Sequence, residues 1–126
     1  MGRKRILVVD DSKTATMMTT MILGKSSYEV LTAADGEEGV KVAVAERPDL
    51  ILMDVVMPRM DGFEACRRLR HSDETKTIPI IMVTTRGEVA NAEIGYQCGC
   101  NDYVTKPVNS AELLAKIRDQ LQGAAD

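Results

Sequence analysis

No stretch of apolar residues in these 126 residues approaches the roughly 20 needed to cross a bilayer. The basic N-terminus, Met1-Gly2-Arg3-Lys4-Arg5, is followed by only a four-residue apolar stretch, Ile6 to Val9, too short for a signal peptide. A cytoplasmic location with no membrane contact is therefore expected. The net charge of −3 leaves no basic surplus of the kind that marks nucleic-acid binding, so direct contact with nucleic acid is not expected. Cysteine is scarce. Cys66, Cys98 and Cys100 make an odd count, and an odd count argues against a disulfide framework. Cys98-x-Cys100 lacks CxxC spacing, and the one histidine, His71, sits in a polar stretch, so the thiols read as structural or incidental. Repeats, low-complexity tracts and linkers are absent. A Gly-rich phosphate loop after the first apolar run is absent too, which disfavours a flavodoxin or dinucleotide-binding site.

What the chain does contain alternates between two kinds of text. Ile6–Val9, Leu50–Met53 and Ile80–Val83 are continuous apolar runs, as expected of parallel strands covered on both faces. Tyr28–Ala33 and Asp102–Thr105 are more mixed strands. Between them, Met17, Met18, Met21 and Ile22 fall at helical spacing within Thr14–Leu23 and are expected to pack into the core. Asp35, Asp61 and Asn109 each stand three residues before a glutamate, a variant of the capping box, and each opens a helix. After the last of these, Leu113, Leu114, Ile117 and Leu121 form one apolar stripe. Glu88–Gln97 is the weakest helix, with few large apolar residues. Five βα units predict an α/β fold, a parallel sheet with helices on both faces. The whole chain, 1–126, reads as one domain with an ordered core of about 4–121 and a loose tail at 122–126.

In open parallel sheets ligands bind beyond the carboxyl ends of the strands. The first strand ends in Asp10-Asp11, the third in Asp54, the fourth in Thr84-Thr85 and the fifth in Lys106-Pro107. Parallel strands would gather these groups on one rim. Two like charges about 4 Å apart repel by roughly 4 kcal/mol at an effective dielectric of 20, so three carboxylates need a compensating cation. Magnesium suits them because it takes a few oxygen ligands and keeps its waters. Such a set also suits phosphoryl transfer, which depends on positioning and charge neutralisation, with a carboxylate as nucleophile. Taken singly, each residue has a blander reading. Asp10 or Asp11 could cap the first helix, Asp54 could be a turn residue before Pro58, and Lys106 could be a solvated loop lysine. Their joint placement carries the argument.

At these residues the chain resembles the receiver domain of two-component response regulators over about residues 4–121. The strings are Ile6-Leu7-Val8-Val9-Asp10-Asp11-Ser12, Asp49 to Gly62 including Asp54 and Pro58, Val83-Thr84-Thr85, and Tyr103-Val104-Thr105-Lys106-Pro107. The resemblance implies a (βα)5 doubly wound, flavodoxin-like sheet in strand order 2-1-3-4-5. It also implies that Asp54 is the phosphoacceptor and that Mg²⁺ is held by Asp11 and Asp54 with Asp10 assisting. The backbone carbonyl of Val56 would be a further metal ligand. Lys106 is expected to pair with the phosphoryl group and Thr84 to be the switch hydroxyl. Tyr103 is expected to be the switch aromatic, and the Lys106–Pro107 bond to be cis. A sensor histidine kinase or phosphotransfer protein would be the donor. An effector protein or domain would bind the face formed by the fourth helix, fifth strand and fifth helix. No separate substrate turnover is expected. The chain departs from many receivers in its apolar Val56, in Arg86 two residues past Thr84 and in the bulk of Thr85, which implies slow loss of the phosphoryl group. A degenerate receiver acting as a constitutive interaction module is the main alternative. A haloacid-dehalogenase-like phosphatase fits less well, because it wants Asp-x-Asp after the first strand. The sequence leaves open a stand-alone receiver or a piece of a longer regulator.

Overall fold

The structure is a computed structural model that describes residues 3–85 and 89–125. Five strands, β1 (Arg5–Val9), β2 (Glu29–Ala33), β3 (Leu50–Asp54), β4 (Ile80–Thr85) and β5 (Asp102–Lys106), alternate with five helices. The helices are α1 (Lys13–Lys25), α2 (Gly36–Glu46), α3 (Gly62–Arg70), α4 (Val89–Cys98) and α5 (Ser110–Ala125). The sheet is parallel throughout, in the order β2-β1-β3-β4-β5.

The apolar runs form strands because both faces of the sheet are covered. Side chains alternate across a strand, so each run feeds two cores. Leu7, Val9, Ile51, Met53, Ile80 and Met82 pack on one face with Ala43 of α2, Ala65, Cys66 and Leu69 of α3, and Cys98 of α4. Ile6, Val8, Leu50, Leu52, Ile81 and Val83 pack on the other with Leu23 of α1 and with Leu113 and Ile117 of α5. β2 reads as mixed text because it is an edge strand with an incompletely buried side-chain pattern.

The helix starts follow the capping logic. Asp35 accepts from Glu38 N–H at 2.8 Å, Asp61 from Glu64 N–H at 2.9 Å and Asn109 from Glu112 N–H at 2.9 Å. The returning half of the box differs. Glu38 bonds Ala34 N–H, one residue before the cap, while Glu64 turns away to pair with Arg67 and Arg68. The three cysteines are free and buried, and burial pushes Cys66 up to about 11 and Cys100 up to about 12.

Two expectations are corrected. The α1 methionines are not core residues, since Met17, Met18 and Met21 are 64%, 61% and 58% exposed. The helix turns inward the face carrying Ile22 and Leu23, which join the core, with Ala15 and Thr19 half-buried beside them. The methionine stripe has true helical spacing but is largely exposed, with Met18 at the edge of the inward face. The tail is not loose from residue 122, because α5 continues through Ala125. α4 begins at Val89; Glu88 and Arg86 lie outside the described residues.

Candidate functional site

β1 and β3 are neighbours in register, with Val9 opposite Met53, so the residues that follow each strand end emerge side by side. Asp10 follows Val9 and is held by its own main chain, whose N–H donates to the Ala33 carbonyl at 3.1 Å. Its side-chain Oδ1 accepts from Ser12 N–H at 2.9 Å. The N-cap of α1 is Ser12, which accepts from Ala15 N–H, so neither aspartate is consumed by capping. Asp54 closes β3 opposite Val83. Asp10 and Asp54 are buried, at 8% and 6% exposure, whereas Asp11 is exposed.

Carboxylate oxygens of Asp10, Asp11 and Asp54 all lie within 4.8 Å of one another. Lys106, at the end of β5, reaches over β4 to this group. Its Nζ stands 3.3 Å from Asp10 Oδ2 and 3.4 Å from Asp54 Oδ1. Burial, and then the repulsion of Asp10, push Asp54 up to about 6 against an opposing pull from Lys106. Burial alone would lower the Lys106 ammonium, but Asp54 and Asp10 outweigh it and raise its pKa. Both shifts therefore favour protonation, as expected where three carboxylates face one ammonium. The cluster fits a hard divalent ion on two grounds. Its donors are all carboxylate oxygens, and its two net negative charges match the charge of such an ion.

The other expected residues are placed differently from one another. Thr84 is buried, at 3% exposure, one position past the register partner of Asp54 and opposite Thr105. Val56 is 67% exposed, two residues beyond Asp54. Tyr103 lies opposite Met82 and packs against Tyr96 of α4 and Lys116 of α5 rather than joining the carboxylates. The Lys106–Pro107 bond is cis. Asp10, Asp54 and Lys106 also line a largely apolar cavity of about 170 Å³, together with Met18, Ile22, Leu52 and Leu113.

The sequence reading missed one residue that the site depends on. Gly62, the first residue of α3, donates its N–H to the Val55 carbonyl at 2.8 Å. A Cβ there would fall 2.2 Å from the Asp54 carbonyl oxygen. Only glycine lets α3 start this close behind Asp54. The Asp61-Gly62 pair was visible as a helix start, but nothing local to it shows that the Asp54 main chain occupies that space.

Comparison with known proteins follows the same outline. The response regulator receiver domain model matches residues 6–118. Protein PilH of Pseudomonas aeruginosa is 44% identical over 119 residues, covering 94% of this chain and 98% of PilH. The chain also matches curated transcriptional regulators, of whose length it spans about half. Chemotaxis protein CheY4 of Vibrio cholerae superposes with a TM-score of 0.88 at 36% identity, covering 94% of this chain and 98% of that one. The receiver domain of sensor histidine kinase PA1611 from Pseudomonas aeruginosa carries a magnesium ion coordinated in its active-site cleft. It superposes with a TM-score of 0.89 at 32% identity, covering 96% and 99% of the two chains. The parallel sheet, the acidic rim and these matches agree: the chain belongs to the receiver domains of response regulators, signalling modules of two-component systems whose family function is phosphorylation on aspartate.

Proposed function

We propose that Asp54 is the aspartate phosphorylated in this chain and that a phosphohistidine on a sensor histidine kinase or phosphotransfer protein is the donor. The observation that carries this reading is the meeting of Asp54 with Asp10, Asp11 and Lys106 from three strand ends. An Asp54 carboxylate oxygen attacks the donor phosphorus. The new P–O bond forms as the P–N bond breaks, and the leaving electron pair stays on the imidazole nitrogen; with the other ring nitrogen of the phosphohistidine protonated, the products are an acyl phosphate and neutral histidine. Asp10, Asp11, Asp54 and the Val56 carbonyl would hold Mg²⁺, which when bound offsets the charge of the phosphoryl oxygens. Lys106, placed between Asp10 and Asp54, gains a phosphoryl oxygen as partner, and the Thr84 hydroxyl donates to another.

The modification adds roughly −1.5 to −2 in charge and three acceptor oxygens. Turning a 1:99 equilibrium into 99:1 takes about 5.5 kcal/mol of differential interaction. A few charge-assisted hydrogen bonds at about 1.5–3 kcal/mol each cover that. Thr84 and Tyr103 then relay the change to the α4-β5-α5 face, which binds a downstream effector protein or domain. The chain works as a cytoplasmic switch without turnover of a separate substrate.

Incubation with acetyl phosphate and Mg²⁺ tests the reading by mass spectrometry. One phosphoryl group mapping to Asp54, and absent from Asp54→Asn, is the expected result. Labelling elsewhere, or none, overturns it. Beryllofluoride with Mg²⁺ separates this reading from a degenerate receiver, which would give no spectral change.

A further inference from the structure

β5 is an edge strand, and the polar main-chain groups of Tyr103 are met by side chains rather than by another strand. Lys116 Nζ, from α5, donates to the Tyr103 carbonyl at 2.6 Å, and Tyr103 N–H donates to Asp102 Oδ1 at 2.8 Å. The same ammonium stands 3.3 Å from Asp102 Oδ1 and 5.1 Å from the centroid of the Tyr103 ring. From the α4 side, Tyr96 meets the Tyr103 ring edge to face, with centroids 6.2 Å apart and planes at 82°. The Tyr96 hydroxyl donates to the same Asp102 oxygen at 3.5 Å. One carboxylate thus gathers groups from α4, β5 and α5, and one ring is held by side chains of both flanking helices. Lys116 and Asp102 are only 26% and 25% exposed, so water competes weakly for the ammonium.

We propose that Lys116 and Tyr96, gathered on Asp102, form a latch that holds Tyr103 in its present rotamer and sets how readily the domain switches. The proposal rests on the reading of Tyr103 as the switch aromatic. Within the latch, only the edge-to-face contact with Tyr96 and the Lys116 ammonium over the ring touch the Tyr103 ring itself; a ring turned away loses both while Lys116 keeps Asp102 and the Tyr103 carbonyl, so these ring contacts favour the present rotamer. Weakening it raises the fraction of protein already switched. A ligand that selects the switched state then binds more tightly by the same factor. Lys116 is a positioning residue, since its partners are Asp102, Tyr103 and Glu112 rather than the carboxylate cluster.

The test uses the full chain with Lys116→Met, which keeps the stem and removes the charge, Lys116→Arg, which keeps the charge, and Tyr96→Leu. Three-bond NMR couplings report the Tyr103 χ1 populations with no phosphoryl mimic present. Titration with beryllofluoride at saturating Mg²⁺ then gives an apparent Kd. Lys116→Met and Tyr96→Leu are expected to raise the minor Tyr103 rotamer and to tighten beryllofluoride binding by about threefold to tenfold. Lys116→Arg should retain wild-type values. A merely structural Lys116 would lower the melting temperature and leave the rotamers unmoved. Unchanged Tyr103 populations in folded Lys116→Met and Tyr96→Leu overturn the latch. If wild type fails to bind beryllofluoride, the Asp54 reading falls, while the rotamer comparison still decides the latch.

Discussion

Replacing Asp54 with asparagine should make the domain more stable at neutral pH when divalent ions are withheld. Folding raises the carboxyl from its ordinary 3.8 to about 6. At about 1.4 kcal/mol per tenfold change in proton affinity, the ionised group carries a penalty of about 3 kcal/mol in the folded chain. The Asp54 side chain is 8% exposed, so solvent screens little of this. Asparagine removes the penalty. It also removes one partner of Lys106, which keeps Asp10 at 3.3 Å, and the net gain should be about 1–3 kcal/mol. For a domain of this length that raises Tm by about 4–12 °C. The pH dependence has a definite sign. At low pH Asp54 is protonated in both folded and unfolded chains and costs nothing. As pH rises from about 4 to about 6 the unfolded chain ionises first, and wild-type stability falls relative to the variant. The advantage of Asp54→Asn should therefore shrink to about a third at pH 4.5. Added Mg²⁺ at ten times its Kd should return about 1.4 kcal/mol to wild type and much less to the variant. Urea denaturation at pH 7.5 and 4.5, with chelator and with Mg²⁺, measures all of this. A variant no more stable than wild type at pH 7.5, or a gain equal at both pH values, would refute the electrostatic account of the site.

Gly62→Ala should lower Tm and weaken beryllofluoride binding, because its Cβ would meet the Asp54 carbonyl at 2.2 Å. Gly24→Ala, with nothing within 4 Å, is the control and should stabilise α1 by about 0.5–1 kcal/mol. Equal effects at the two glycines in thermal melts would discount the close approach. Arg70→Met should cost about 2–4 kcal/mol in urea titrations. The guanidinium bonds the carbonyls of Ile78 and Gly99 and the Asn101 side chain, each at 2.8 Å, and a loss under about 1 kcal/mol would show these bonds to be idle. Val56→Asn puts a polar group on an exposed position beside the acceptor and should speed loss of the phosphoryl group, followed by the decay of labelled protein. An unchanged decay rate would count against a slow-release role for Val56.

Elements whose signal is local were legible in the sequence. The tetrads Ile6–Val9, Leu50–Met53 and Ile80–Val83 gave strands because burial on both faces leaves no alternation to misread. Asp35, Asp61 and Asn109 marked helix starts because the cap is a contact three residues long. Features set by tertiary packing were not legible. Met17, Met18 and Met21 keep helical spacing whichever way α1 is turned. Which face turns inward is decided by tertiary packing, here of Ile22 and Leu23 into the core. The Tyr96–Asp102–Lys116 cluster likewise joins three elements, and nothing local to any one member marks the meeting.

The functional rim shows the same division within one group of residues. Asp10, Asp11, Asp54 and Lys106 could each be placed at a strand end from the sequence, and parallel pairing puts strand ends on one side. Their meeting needs more, namely the strand order. Neighbouring strands lie about 4.8 Å apart, so β3 and β5 stand about 10 Å apart with β4 between them. A lysine stem spans most of that distance and brings Nζ to 3.4 Å from Asp54, whereas serine or threonine at 106 would stop short. Had β5 paired outside β2 instead, Lys106 would stand three strands from Asp54, beyond the reach of any side chain. The carboxylates would then face one another with no ammonium among them. The strand order came from the family resemblance and not from periodicity, so Lys106, the cation that pairs with Asp10 and Asp54 among the described residues, was the member least determined by its own local sequence.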